Sequence, residues 1–368
     1  MEVLTNGNIQ DAVNLWCDNE GHAIEIYGNI SEWDVSRVTD MSNLFKRKIN
    51  FNNNISNWNV SNVTNMERMF DGAESFNQPI DTWNVSNVTN MNHMFHEAKL
   101  FNQNINTKKI IKKDGSEYLA WDIFNVTDIG WMFCRASLFN QPITCWNVSN
   151  VTNMECLFFD SDSFNQDINT KIIEENGSIY RAWDVSNVIN MRQLFCNASS
   201  FNQPINKWNV LNVRIMDFMF RGAILFNQEI FCWDVSNVEY MSGMFKNAVS
   251  FNKPINDWDV SNVICMNWIF SGTESFNDNE ISTWIINDNC LIFDMFENSN
   301  IKRENLENKN YGNKIARYFN LPNPKTNNDL KNIKIETTKK NIRILQENKK
   351  LPLLGDDIEN MIKEFLIK

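Results

Sequence analysis

Apolar positions along this chain recur neither every second residue nor every 3.6 residues, but as a block that is repeated whole. Counted from a tryptophan at position 0, an aliphatic residue holds +2, Val holds +5, Met or Ile +8, Phe +12, usually Ala +15, Phe +18 and Ile +22. The block opens at Trp33, Trp58, Trp83, Trp121, Trp146, Trp183, Trp208, Trp233, Trp258 and Trp284, ten copies of a phrase of roughly 25 residues. Clear copies read WNVSNVTNMERMFDGAESFNQPID from Trp58 and WDVSNVEYMSGMFKNAVSFNKPIN from Trp233. A period of this length marks a stacked repeat architecture. Inward residues every three or four positions suit a coil turning around a shared axis. The expected core is a set of columns that includes Trp58, Trp83, Trp146, Trp208 and Trp233 and the rings of Phe70, Phe95, Phe220 and Phe245.

Local chemistry divides each copy. The stretch from Trp to the Val at +5 is rich in β-branched residues and predicts short extended segments. The following MxxMFxxA has helical spacing and predicts a helical turn or short helix. The FNQPI segment then breaks it, because Pro lacks a donor and Asn favours turns. Asn recurs at +19 in nine successive copies, from Asn52 to Asn277, and is expected to tie turn backbone to the adjacent copy as a ladder. The fold class predicted is thus an α/β repeat solenoid of short strands and helical turns, with a small helical C-terminal segment. One copy cannot offset the entropy of ordering its own chain, so the array has to be long and capped.

Two copies are longer, both after the Ile at +22. The insertions lie near 106–120 and 169–182, centred on Asp114–Gly115 and Asn176–Gly177 with β-prone flanks. That pattern predicts β-hairpins projecting from one edge, two coils apart. Insertions concentrated on one face often mark the binding side. Residues 1–32 read as an N-terminal cap, an amphipathic helix carrying Ala12, Val13, Leu15 and Trp16 followed by a strand leading into Trp33. The array runs over 33–298, a linker over 299–328, and a helical segment over 329–368 with Leu354, Ile358, Met361, Ile362 and Phe365 on one face.

Charge and cysteine usage narrow the function. A net charge of −11 disfavours general nucleic-acid binding while admitting a basic partner. The N-terminus shows no secretory leader, and no apolar stretch is long enough to span a bilayer, so an intracellular protein is expected, and it is read as a monomer. None of the eight cysteines recurs at one register in adjacent copies, which predicts free thiols in a reducing compartment.

Catalytic patterns are absent: there is no phosphate-cradling loop, nucleophile elbow or zinc spacing. His93 and His96, with Glu97 beside them, make at most half a metal site, and no cofactor or metal is expected. The acidic residues at +1 (Asp34, Asp122, Asp184, Asp234, Asp259) interchange with Asn and read as turn caps. Position +10 varies between fixed neighbours, which implies solvent exposure. Its members Arg68, His93, Trp131, Phe218 and Trp268 are the candidate partner-binding residues, since exposed aromatic and Arg side chains are typical contact anchors.

The phrase WDVSNVxxMxxMFxxAxxFNQPI resembles the BspA-type leucine-rich repeat family, in the branch first catalogued as a domain of unknown function in mycoplasma surface proteins. The likeness covers about Trp33 to Asn298. It implies a curved, right-handed, leucine-rich-repeat-like coil and a protein- or surface-binding role. The N-terminal AVNLW and YGNISEWDVS and the Asn/Ile/Lys-rich composition look like members found in giant DNA viruses, which implies host cytoplasm or the virion as the setting. The C-terminal LPxxxxxxI and following FL is weakly similar to the start of an F-box. The function expected is a non-enzymatic scaffold binding a protein partner. A ubiquitin-ligase adaptor or a surface adhesin are the alternatives.

Overall fold

The computed structural model describes residues 3–175, 178–277, 281, 283–302, 312–322, 324–333 and 336. In chain order it contains α1 (Ile9–Asp18), α2 (Glu20–Tyr27), a 3-10 turn (Ile30–Glu32), the strands β1 (Lys108–Ile111), β2 (Glu117–Ala120), β3 (Lys171–Glu175) and β4 (Ser178–Ala182), and α3 (Asn313–Phe319).

The ten copies stack in register, but not as strands and helical turns. Among the described residues, 33–298 hold no α-helix, and strands occur only in the two insertions. Each copy contributes a single β-bridge residue at +7, and these form one parallel series: Asp40, Asn65, Asn90, Asp128, Asn153, Asn190, Ile215, Tyr240, Cys265 and Leu291. The expected extended segment from Trp to +5 is instead closed by a turn, the N–H of Val63 donating to the carbonyl of Val60 at 2.9 Å. MxxMFxxA is a chain of turns as well.

Its hydrogen bonding alternates. Even-numbered N–H groups donate to the following copy: Met66 to Asn90, Arg68 to Asn92, Phe70 to Met94 and Gly72 to His96, at 2.7–3.0 Å. Odd-numbered N–H groups close turns within the copy: Met69 to Met66, Asp71 to Arg68 and Ala73 to Phe70, at 3.0–3.2 Å. Buried backbone groups must find partners, and here they find them without regular secondary structure. The geometry demands positive φ at +10 and +14, as at Arg68 (55°) and Gly72 (70°). A helix cannot hold such residues, which is why helical spacing misled.

Side chains reinforce the ladder. The Asn at +19 forms eight successive rungs, each amide oxygen accepting from the Asn N–H of the next copy at 2.9–3.2 Å. The Asn at +4 does the same in reverse, its amide donating to the +3 carbonyl of the preceding copy, as Asn87 to Ser61 at 2.8 Å. Buried Ser161 and Thr273 stand where most copies have Ala, and each hydroxyl donates to a +12 carbonyl one copy back, at 2.6 and 2.8 Å.

Aromatic columns fill the interior. The +12 phenyl rings follow one another from Phe45 to Phe296 with neighbouring centroids 5.4–5.8 Å apart. In the first nine copies the +18 ring lies against the +12 ring, as Phe195 and Phe201 at 3.9 Å. The repeat tryptophans are buried, and their indole N–H groups are satisfied. Trp121 donates to Ile80 and Trp208 to Ile168, each at 2.8 Å. An indole can be buried at every level because each level provides the same acceptor.

Both ends are closed by imitation of a missing copy. At the N-terminal end the Asn6 amide oxygen accepts from Thr39 N–H at 2.8 Å, replacing a preceding +6 carbonyl. The Gln10 amide donates to the Leu44 carbonyl at 3.1 Å, replacing a preceding +12 N–H. Trp16 and Tyr27 cover the first indole edge-on, 5.8 and 5.9 Å from Trp33. The strand expected before Trp33 is α2, which the Asn19 side chain caps by accepting from His22 N–H. At the other end α3 lies inside the segment read as a linker. Lys314 Nζ donates to the Cys290 carbonyl at 3.0 Å, and Phe296 N–H donates to the Tyr318 hydroxyl at 3.4 Å. Phe319 continues the phenyl column 5.4 Å from Phe296. Residues 327–333 are helical. The C-terminal face carrying Leu354 to Phe365 lies outside the described residues.

Two outcomes are expected. Phe195→Ala opens a cavity in the middle of the phenyl column and costs about 3–5 kcal/mol in chemical denaturation; a loss below about 1 kcal/mol would refute the packing described. Lys314→Ala with Tyr318→Ala accelerates amide hydrogen exchange in the last copies while leaving the first copies protected. Uniform acceleration along the array would contradict a local capping role.

Candidate functional site

Two places on the array stand out: the insertions and the +10 stripe. Both insertions are antiparallel hairpins, β1 pairing with β2 (Lys108 opposite Ala120) and β3 with β4 (Lys171 opposite Ala182). They leave the array after copies that open at Trp83 and Trp146, and the chain re-enters at Trp121 and Trp183, both with φ near 51°. Each hairpin leans on the array in the same way. Thr107 and Thr170 hydroxyls donate to the carbonyls of Trp121 and Trp183 at 2.8 and 2.7 Å. Tyr118 and Tyr180 hydroxyls donate to the carbonyls of Thr82 and Cys145, both at 2.6 Å.

Strand alternation then assigns the faces. Ile110 and Tyr118 share the face turned to the array's preceding copy, while Lys109, Ile111, Glu117 and Leu119 share the other. On the second hairpin Ile173 and Tyr180 take the first role. One face of the first hairpin therefore looks toward the opposite face of the second. Between them lies a cleft of about 440 Å³, lined by Thr107, Lys109, Glu117, Tyr118, Leu119, Asp122, Phe124, Cys145, Asn147 and Tyr180. This is the size of a small ligand site. Lys109 and Glu117 form an ion pair on its wall. Outside it, Ile111, Ile172 and Ile179 on the hairpins are each more than 60% exposed.

None of the sequence-derived candidates lines this cleft. Arg68, His93, Trp131, Phe218 and Trp268 do share one stripe, but they are half-buried and all have φ of 55–62°. They hold a left-handed backbone position and pack between copies while staying partly exposed. Trp131 stacks on His93 at 5.2 Å and on Phe159 at 6.4 Å. Phe218 covers Gly243, where a Cβ would meet the ring at 2.4 Å. Trp268 meets Phe293 edge-on at 5.7 Å, with Lys246 over its ring at 5.2 Å.

Sequence reading missed Tyr118, Phe124, Leu119 and Tyr180, although one signal was present. Position +3 is Ser in seven copies and Phe only at Phe124, directly under the cleft. His93 and His96 also prove structural. His96 Nδ1 meets the Asp71 carboxylate at 2.7 Å, and Lys46 lies 3.7 Å from the same carboxylate. Among the described residues no group of His, Cys, Asp and Glu could hold a metal ion. All eight cysteines are free thiols. Burial pushes the Cys134 thiol up to about 12 and the Cys196 thiol up to about 11, which suppresses the reactive thiolate.

A pH dependence follows. Burial, helped by the nearby Arg68 charge, lowers the His93 pKa to about 4, whereas an unfolded His titrates near 6.5. As pH falls from about 6.5 toward 4, the unfolded chain takes up a proton that the native fold refuses, so this contribution to stability is lost over that window. His93→Asn, with the residue found at the same register in Asn43, lowers the difference in urea midpoint between pH 7 and pH 5. An unchanged difference would show that His93 is not a source of it.

No helix of the described residues is long and apolar enough to cross a membrane. No curated protein and no solved structure matches the chain. The family model described as Mycoplasma protein of unknown function, DUF285, matches residues 19–119, 112–175, 171–284 and 232–333, segments that together run unbroken over most of the chain. By that coverage the chain belongs to the family of Mycoplasma proteins of unknown function, DUF285.

Proposed function

We propose that this protein is a non-enzymatic interaction scaffold, a solenoid of the leucine-rich-repeat-like, right-handed BspA type that binds a protein partner through its two hairpins. The single observation behind this reading is the cleft between the hairpins, formed where two insertions interrupt an otherwise uniform surface. The exposed isoleucines on the same hairpins support it, since apolar side chains held clear of the array suit a contact surface. The recurring polar side chains are occupied structurally: Asn at +4 and +19 in the ladders, Asp or Asn at +1 in turns, as Asp234 accepting from Ser236 N–H at 3.1 Å. That supports binding rather than catalysis. The eight free thiols support an intracellular setting. The half-buried stripe from Arg68 to Trp268 is a secondary surface in this reading.

Excision of 108–120 and 171–182 tests it. The cut restores the 25-residue spacing and places Thr107 and Thr170 before a tryptophan, as Thr82 already stands before Trp83. The shortened chain is expected to melt in one transition and to lose the proteins that the full chain captures, scored by quantitative mass spectrometry. The Trp131, Phe218 and Trp268 triple alanine variant is expected to keep them. The opposite pattern would assign binding to the stripe.

A further inference from the structure

The cleft between the hairpins has a specific chemistry. Its lining brings the rings of Phe124 and Tyr180 together with three charged groups, Lys109, Glu117 and Asp122, while the Tyr118 ring is covered by Lys112 and its hydroxyl is held by Thr82. Lys109 and Glu117 neutralise each other across the first hairpin, which leaves the Asp122 carboxylate as the unbalanced charge.

The same substitution that places a ring there also removes a possible hydroxyl donor to that carboxylate. In most copies the Ser at +3 donates its hydroxyl or N–H to the Asx side chain at +1. Ser86 bonds Asn84 with both, at 2.8 and 3.2 Å, and Ser236 bonds Asp234 with both, at 2.6 and 3.1 Å. Phe124 has no hydroxyl. Among the described residues the Asp122 carboxylate accepts one hydrogen bond, from Phe124 N–H at 3.2 Å. Phe124 itself is 45% exposed, a ring presented to the cleft instead of packed away.

We infer that this cleft receives an arginine side chain of a basic partner protein, its guanidinium stacked against Tyr180 and Phe124 and paired with Asp122. A guanidinium is planar, sheds water more readily than an ammonium, and offers forked N–H donors that suit a carboxylate. Aromatic faces attract it through their quadrupole. The chain's net charge of −11 draws basic partners toward it. The inference rests on the reading of the cleft as the binding site, and it adds the residue type that the site selects.

Asp122→Asn is a clean probe of the charge. Asn59, Asn84, Asn147 and Asn209 hold the same register and accept the same turn N–H in their own copies, so the substitution preserves the fold. The test uses the full chain and three end-blocked peptides, Ser-Gly-Arg-Gly-Ser and its citrulline and Phe counterparts, followed by NMR of side chains lining the cleft. The Arg peptide is expected to shift these signals and to bind at least tenfold more tightly than the citrulline peptide. Asp122→Asn is expected to remove that preference, and Tyr180→Ala to weaken the Arg peptide. Tighter binding of the Phe peptide, indifferent to Asp122→Asn, would overturn arginine selection while leaving the cleft as the binding site. No shift with any peptide would overturn both.

Discussion

Alternation of backbone hydrogen bonds, one N–H to the next copy and the next N–H back into its own turn, is the constraint on which the rest of the molecule depends. A repeat array that holds no α-helix among its described residues and strands only in its insertions has to satisfy its buried amides and carbonyls this way. The arrangement transfers half of each copy's donors from Met66 to Gly72 onto the following copy. A copy is therefore incomplete by itself, and stability is a nearest-neighbour property. The Asn ladders at +4 and +19, the indole donors and the hydroxyls of Ser161 and Thr273 follow the same rule, each satisfied across a copy boundary.

This ladder has a conformational cost. It holds residues as bulky as Arg68, His93, Trp131, Phe218 and Trp268 at positive φ, a conformation that disfavours L side chains by roughly 1–2 kcal/mol each. The strain persists because each of these residues donates its N–H to the next copy and leans its side chain on a neighbour. The caps obey the same logic. Asn6, Gln10, Lys314 and Tyr318 place side-chain donors and acceptors where an eleventh copy's backbone would have been. Without them the terminal copies would present an open edge of unpaired groups.

The surface changes character where the regularity is interrupted. The bridge series runs unbroken through both insertions, so the hairpins leave the array two copies apart. The cleft is a consequence of that spacing. Phe124 then gives it a character that no other copy has, because a single Ser-to-Phe difference in the repeat sets a ring beside the Asp122 carboxylate and leaves no +3 hydroxyl to bond it.

The sequence by itself determined the repeat, its core and its hairpins. Trp, Phe and Val recur because identical levels need identical interiors, and Asp114–Gly115 and Asn176–Gly177 carry turn chemistry that acts locally. Gly72, Asn197, Gly222, Asn247 and Gly272 at +14 were also a legible sign of left-handed backbone. Only the tertiary structure decided the rest. The spacing of MxxMF suits a helix within one copy, and the turns win because the next copy supplies hydrogen bonds that a helix could not use. The stripe at +10 varies as a surface would, yet packing between copies leaves its side chains only partly exposed. α3 caps the array from within an apparently unpatterned segment, since its purpose depends on contacts with Cys290 and Phe296 that no local pattern encodes. Tyr118, Phe124 and Tyr180 line one cleft across 62 residues of sequence for the same reason: the folded array, not the chain, sets the distance between its hairpins.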